Sequence, residues 1–272
     1  MTANLIDLIE VFETLWPTRD AEEWDRVGLV CGSADQKISR VLLSVDVCSD
    51  VLEEAKQGEF DLVLAHHPLI LRGVTTLSEQ TGKGSLLSTA IRNSIAIFSA
   101  HTNADVAEDG VSDSFAKHLE LRNICPIIDR GDGLGLGRIG ALAEPLSLLD
   151  LARVVASKLP STATGVRVAG NHERLISTVA LCAGAGDSLL EQVSRLDVDV
   201  YITSDLRHHV VQDQLERNLA VGNGPAIIDV SHWAAEWLWL DHAAARLSKE
   251  FPEIQFVVSA IRTDPWDFVV TQ

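Results

Sequence analysis

The stretch Arg40-Val41-Leu42-Leu43-Ser44-Val45-Asp46, followed by the helical Val51-Leu52-Glu53-Glu54-Ala55 and the apolar Asp61-Leu62-Val63-Leu64-Ala65, reads as strand, helix, strand. The same order returns in Thr178-Val179-Ala180-Leu181-Cys182, Ser188-Leu189-Leu190-Glu191-Gln192-Val193 and Asp199-Val200-Tyr201-Ile202-Thr203. Val41 to Val179, Glu53 to Glu191 and Asp61 to Asp199 are each 138 positions apart, so strand and helix recur without a gap, as a duplication would leave them. A third strand extends each copy, with Ala96-Ile97 aligning on Ile227-Ile228 at an offset of 131. Gly84 to Ile91 and Val211 to Leu219 supply the intervening helices. The expected fold class is α/β: duplicated β-α-β-α-β units forming two related α/β lobes with a metal site between them. Crossover helices imply parallel, right-handed connections, and ligands collect at the carboxyl ends of such strands.

In sequence the copies divide into an N-terminal half, 1–126, and a C-terminal half, 127–272, which opens with an extra strand-helix segment. Its start, Arg130-Gly131-Asp132-Gly133-Leu134-Gly135-Leu136-Gly137-Arg138-Ile139-Gly140, is a turn entering a strand. A phosphate loop would need a helix directly after it or a Gly-Lys-Ser/Thr ending, and it has neither. Pro145-Leu146-Ser147 then begins a helix running to Leu159, with Ser147 or Glu144 as cap, and a short strand follows at Val166 to Val168. At the N-terminus Ile6, Leu8, Ile9, Phe12 and Leu15 keep a helical period that Trp16-Pro17 ends, without the basic start of a secretory signal.

Hydrophobic residues make up 46% of the 272 and charged residues 22%, enough apolar surface for an ordinary folded core and too little charge for disorder. A formal net charge of -17 would repel phosphate backbones, so direct nucleic-acid binding is not expected; a bound divalent cation would reverse the sign locally and leave room for an anionic small substrate. No run is apolar enough to cross a bilayer, and Cys31, Cys48, Cys125 and Cys182 lack paired spacing. They read as reduced, mostly buried thiols of a cytoplasmic protein.

The chemistry gathers where strands end. His66-His67 closes the run Leu62-Val63-Leu64-Ala65 just before Pro68, and on a turn two adjacent imidazoles can address neighbouring metal ions. His101 precedes Asp105 by four residues after one apolar run, and His232 precedes Glu236 by four after another. That spacing aligns the pair on one face if a helix starts there. An isolated histidine pair more often packs and bonds a loop, and Asp105 or Thr102 could merely cap a helix. Here the candidates recur at matched places. In the second copy Ser204 and Asp205 stand where the first has His66 and His67; Asp205 could be an orienting carboxylate or general base, with His208 and His209 just beyond, and all three could equally be surface or capping residues. Asp25 and Asp113 are weaker candidates, and Trp233, Trp237 and Trp239 belong to the core.

Trp24-Asp25-x-x-Gly28-Leu29, His66-His67-Pro68, His101-Thr102-Asn103-x-Asp105, Gly137-Arg138-x-Gly140, Thr203-Ser204-Asp205 and His232-x-x-x-Glu236 together resemble the type 2 GTP cyclohydrolase I homologues, the Nif-three-like family. The resemblance runs from Trp24 to the last residues. It implies a ring-shaped homohexamer and a dinuclear site of zinc, iron or manganese held by His66, His67, Asp105, His232 and Glu236, with Glu236 as the bridging carboxylate. It also implies that His101 and His209 lie near the site, where they and Asp205 could move protons while water adds at a purine C8 carbon. Arg26, Ser112, Ser204, Ser231 and Ala235 depart from the family pattern, which bears on substrate fit and leaves the ligands intact. The expected function is a metal-dependent hydrolase acting on a nucleotide or similar anion. The alternatives are a metal-binding scaffold without catalysis and a two-metal phosphoesterase.

Overall fold

Leu62 to Ala65 and Ala96 to Ser99 are buried at every position, and Arg40–Ser44 at all but its first, as parallel strands covered on both faces must be. The computed structural model describes residues 2–271. They form two units: the residues up to Ala107 with Leu240–Thr263, and Glu108–Trp239 with the residues from Asp264 on. Relative to the sequence copies, 108–126 therefore joins the second unit and 240–263 the first.

In the first unit the strand order is Gln255–Val258, Arg40–Ser44, Leu62–Ala65, Ala96–Ser99 and Gly28–Cys31. All neighbours are parallel except the last, which pairs antiparallel with Ala96–Ser99. The helices Ser49–Gln57 and Gly82–Arg92 are the crossovers. Val51, Leu52 and Ala55 from one and Leu87 and Ala90 from the other pack on Leu42, Val63 and Ile97. Each large apolar side chain buried in this way contributes about 1.5–3 kcal/mol.

The second unit repeats this scheme and adds to it. Leu175–Ala185, Val200–Ser204 and Ala226–Val230 are parallel neighbours, flanked by the antiparallel Arg167–Ala169 on one side and by Arg138–Ser147 and Arg122–Cys125 on the other. The duplication is visible bond by bond. Val41 faces Leu62 and Leu42 faces Val63 in one sheet, and 138 positions on Val179 faces Val200 and Ala180 faces Tyr201 in the other. At the third strand Leu62 faces Ala96 and Val200 faces Ala226. The structural offset there is 130, one less than the apolar alignment gives, so His101 and His232 occupy neighbouring rather than identical places.

Several elements differ from their sequence reading. Leu175–Ala185 runs on past Cys182, and with the residue count fixed by the repeat it leaves only a short 3-10 turn, Asp187–Leu189, and the single α-turn Leu190–Val193 in place of a full helix. Pro145 to Ser147 end a ten-residue strand, and the helix Leu148–Lys158 starts after them, capped by the Ser147 hydroxyl accepting from the Asp150 amide at 3.1 Å. The glycine-rich segment folds as a small hairpin, Ile128–Gly131 with Leu134–Leu136. Among the described residues the four cysteines form no disulfide, and Cys125 is exposed and the others only half-buried, short of the burial expected. Among the described residues no helix is long and apolar enough to cross a membrane.

Candidate functional site

In the first unit the strand Leu62–Ala65 delivers His66 and His67 to its carboxyl end, where their amides donate to the Ser44 and Val45 carbonyls at 3.0 and 2.8 Å. His66 is fully buried, with Nδ1 2.8 Å from the Ala100 carbonyl oxygen. A carbonyl only accepts, so Nδ1 carries the proton and Nε2 keeps its lone pair. His67 places Nδ1 2.8 Å from Oδ1 of Asp46, whose other oxygen accepts the Thr263 hydroxyl. His101, at the N-cap of the helix Thr102–Val106, has Nδ1 2.9 Å from Oδ1 of Asp25. Asp25 is buried and its second oxygen accepts from the Thr102 amide at 3.0 Å and from the Thr102 hydroxyl. Burial pushes the Asp25 carboxyl up, but the hydrogen bonds from His101 and Thr102 outweigh it and hold the group well below the usual carboxylate range.

The three rings cluster, with centroids 5.1 Å (His66 and His67), 5.2 Å (His66 and His101) and 5.4 Å (His67 and His101) apart. One ring nitrogen from each lies within 4.8 Å of the others. Asp105, in the helix Thr102–Val106, sets Oδ1 3.7 Å from Nε2 of His66. That is too long for a hydrogen bond, yet it is a spacing two donors can take on one ion with bonds of about 2.1 Å. Three oriented imidazoles and a carboxylate are a donor set that suits zinc, iron and manganese alike.

In the second unit the strand Val200–Ser204 runs into Asp205, held at φ +59°, a conformation that Asp tolerates better than most residues. Its Oδ2 lies 2.7 Å from Nδ1 of His232, the first residue of the helix His232–Glu250. One turn on, the buried Glu236 sets Oε1 2.8 Å from Nε2 of the same ring. Ser231 secures the start of this helix, accepting from the Ala234 amide at 3.2 Å and donating to Asp264 at 2.5 Å. Burial works against a charge on His232, but the Glu236 carboxylate and the Asp205 hydrogen bond outweigh it and raise its proton affinity well above the usual imidazole value. Here too an imidazole is aimed by a carboxylate and meets another, a pair that could hold a cation.

His209 lies exposed in the first turn of the helix His208–Val221, its ring centroid 5.1 Å from that of His208. Ser204, the counterpart of His66, is buried. Asp113 is no part of either group: it takes two bonds from the buried Arg138 guanidinium, at 2.6 and 2.9 Å, whose remaining nitrogen donates to the Gly135 and Gly137 carbonyls. The residue that sequence reasoning missed is Asp46. Its signal was a carboxylate two positions beyond a strand end, beside the strand that carries the histidine pair.

Paired histidines and carboxylates at the carboxyl ends of strands in a duplicated α/β fold define a class of proteins with candidate metal-binding groups. The chain belongs to the Duf34/NIF3 (NGG1p interacting factor 3) family, which it matches over residues 3–265. It is 42% identical to the GTP cyclohydrolase 1 type 2 homolog of Streptomyces coelicolor, over 97% of this chain and 93% of that one. To the protein of the same name from Clostridium perfringens it is 30% identical, over 98% and 100%. Among solved structures, a Staphylococcus aureus hypothetical protein aligns with a TM-score of 0.90 at 26% identity, covering 98% of this chain and 99% of that one.

Proposed function

We propose that this protein is a dinuclear metal-dependent hydrolase of the GTP cyclohydrolase 1 type 2 kind, with zinc, iron or manganese held by His66, His67, Asp105, His232 and Glu236. The observation that supports it most is the fixed tautomer: His66 and His67 each have Nδ1 against an oxygen acceptor, which leaves the Nε2 lone pair to ligate. Bound divalent ions would supply Lewis acidity and bring water within reach of deprotonation near neutral pH. The chain's own residues do the rest. Asp25 holds the His101 ring in place and stabilises the imidazolium when Nε2 accepts a proton, so His101 is the first proton carrier. Asp205 aims the His232 ring through Nδ1, and the exposed His209 is a further proton carrier.

The same reading takes the substrate to be a nucleotide or another small anion, the assembly a homohexamer and the compartment the cytoplasm. The names borne by the relatives support the nucleotide, and the charge of -17, which disfavours nucleic acid, supports a small substrate over a polymer. The test is metal analysis of the purified protein together with assays on GTP, other nucleotides and simple phosphoesters. Glu236→Gln should lose metal and turnover together, and full metal occupancy in that variant would overturn the ligand assignment. A metal-replete wild type that turns over none of these substrates would make the protein a metal-binding scaffold instead.

A further inference from the structure

The strand Leu175–Ala185 breaks step with its neighbour. It pairs with Val200–Ser204 as far as Leu181 opposite Ile202 and resumes with Ala185 opposite Ser204, so Cys182, Ala183 and Gly184 together stand against Thr203. Such a bulge redirects a strand and is common beside functional groups. This one is pinned by buried side chains. The Ala183 amide donates to the Ser112 hydroxyl at 3.2 Å, the Thr203 hydroxyl donates to the Gly184 carbonyl at 3.0 Å, and the Tyr201 hydroxyl donates to the Gly186 carbonyl at 2.8 Å. Gly184 sits at φ +78°, and a β-carbon placed on it would overlap Oε1 of Glu236 and come within 3.3 Å of Nε2 of His232. By the 138 offset Gly184 takes the number of Asp46, the carboxylate that aims His67. One copy fills this position with a side chain and the other clears it.

We propose that Gly184 is a positioning residue: the pinned bulge presents bare backbone to Glu236, and the missing side chain is what lets that carboxylate reach His232. For its consequence on metal binding the inference rests on the function proposed above; for the placement of Glu236 it stands alone. The obstructed atom is the tip of a flexible side chain, so Gly184→Ala should fold with Glu236 displaced. Because alanine is strained at this φ whatever surrounds it, Gly222→Ala serves as control: Gly222 lies at φ +72° with nothing within 4 Å of a β-carbon.

The decisive measurements are crystal structures of the metal-free wild type and Gly184→Ala, with manganese and zinc titrations of both, of Gly222→Ala, and of Glu236→Asp with and without Gly184→Ala. We expect Gly184→Ala to part Glu236 from His232 and to weaken metal binding by about tenfold or more, Gly222→Ala to melt lower yet bind metal as the wild type does, and the Gly184→Ala penalty to shrink in the shorter Glu236→Asp background. An unmoved Glu236, or an equal loss in Gly222→Ala, would overturn the proposal. A wild type that binds neither metal would overturn the proposed function, while the pair of crystal structures would still decide the role of Gly184.

Discussion

The two units share a sheet register but not the use made of the second strand's end. In the first, the carboxylate Asp46 follows the first strand of the repeat and aims His67, which follows the second. In the second, Asp205 stands at the number of His67, after the second strand, and aims His232, which follows the third. The first copy also carries His101 after its third strand, aimed by Asp25 from outside the repeat, so what the second copy lacks is an imidazole after its second strand. Strand order and backbone bonds therefore set where a pair can form, and the residue at each strand end sets which partner it supplies. Duplication fixed the scaffold, and substitution at its rim made the copies unequal.

Four experiments would break or sharpen this contrast. The greatest cost falls on a feature with no counterpart in the first copy, the ion pair of Arg138 and Asp113. Arg138→Met leaves a buried carboxylate without its guanidinium and should cost about 3–5 kcal/mol in denaturant unfolding. A loss under about 1 kcal/mol would mean that the inserted segment is no integral part of the second unit. Next comes the matched pair His66→Ala and Ser204→Ala. The first should lower metal affinity by more than the roughly 100-fold reached by losing an orienting partner, and the second should leave it unchanged; equal losses would show the copies to be functionally alike.

The orienting carboxylates follow. Asp46→Asn and Asp205→Asn should each weaken metal binding about 10–100-fold. Asp46 should be the costlier because Thr263 also fixes it, whereas the Asp205 side chain is 61% exposed; the reverse order in calorimetric titrations would sink that argument. The smallest effect is Ser147→Ala, which removes a helix cap and should cost about 1 kcal/mol in thermal unfolding, with metal affinity untouched.

The continuous apolar runs at Val41, Leu62, Ala96, Val179 and Val200 made the repeat legible, since only strands buried on both faces carry them. The histidines were legible because they interrupt those runs at their ends. The one-residue slip at the third strand was not, because Ala96-Ile97-Phe98 and Ala226-Ile227-Ile228 are equally apolar in either alignment and only backbone bonding separates the two. The roles of Asp46, unread, and of Asp25, read only as a weaker candidate, were hidden for a different reason. Each meets its histidine across more than twenty residues of sequence, and the sheet order that joins them is a tertiary fact. Gly184 was least visible of all, since what matters there is an empty space.

The strand Gln255–Val258 completes the first sheet by lying parallel to Arg40–Ser44, and Ser259 bonds Glu54 across 205 residues. During synthesis at about 5–20 residues per second, the outer edge of Arg40–Ser44 waits roughly 10–40 s for its neighbour to be made. Through that interval the nascent chain carries an open row of amides and carbonyls beside the buried apolar strand Leu62–Ala65, a template for pairing with other chains. A ribosome-bound chain halted before residue 255 should therefore aggregate, or recruit a chaperone, more readily than one halted past residue 263.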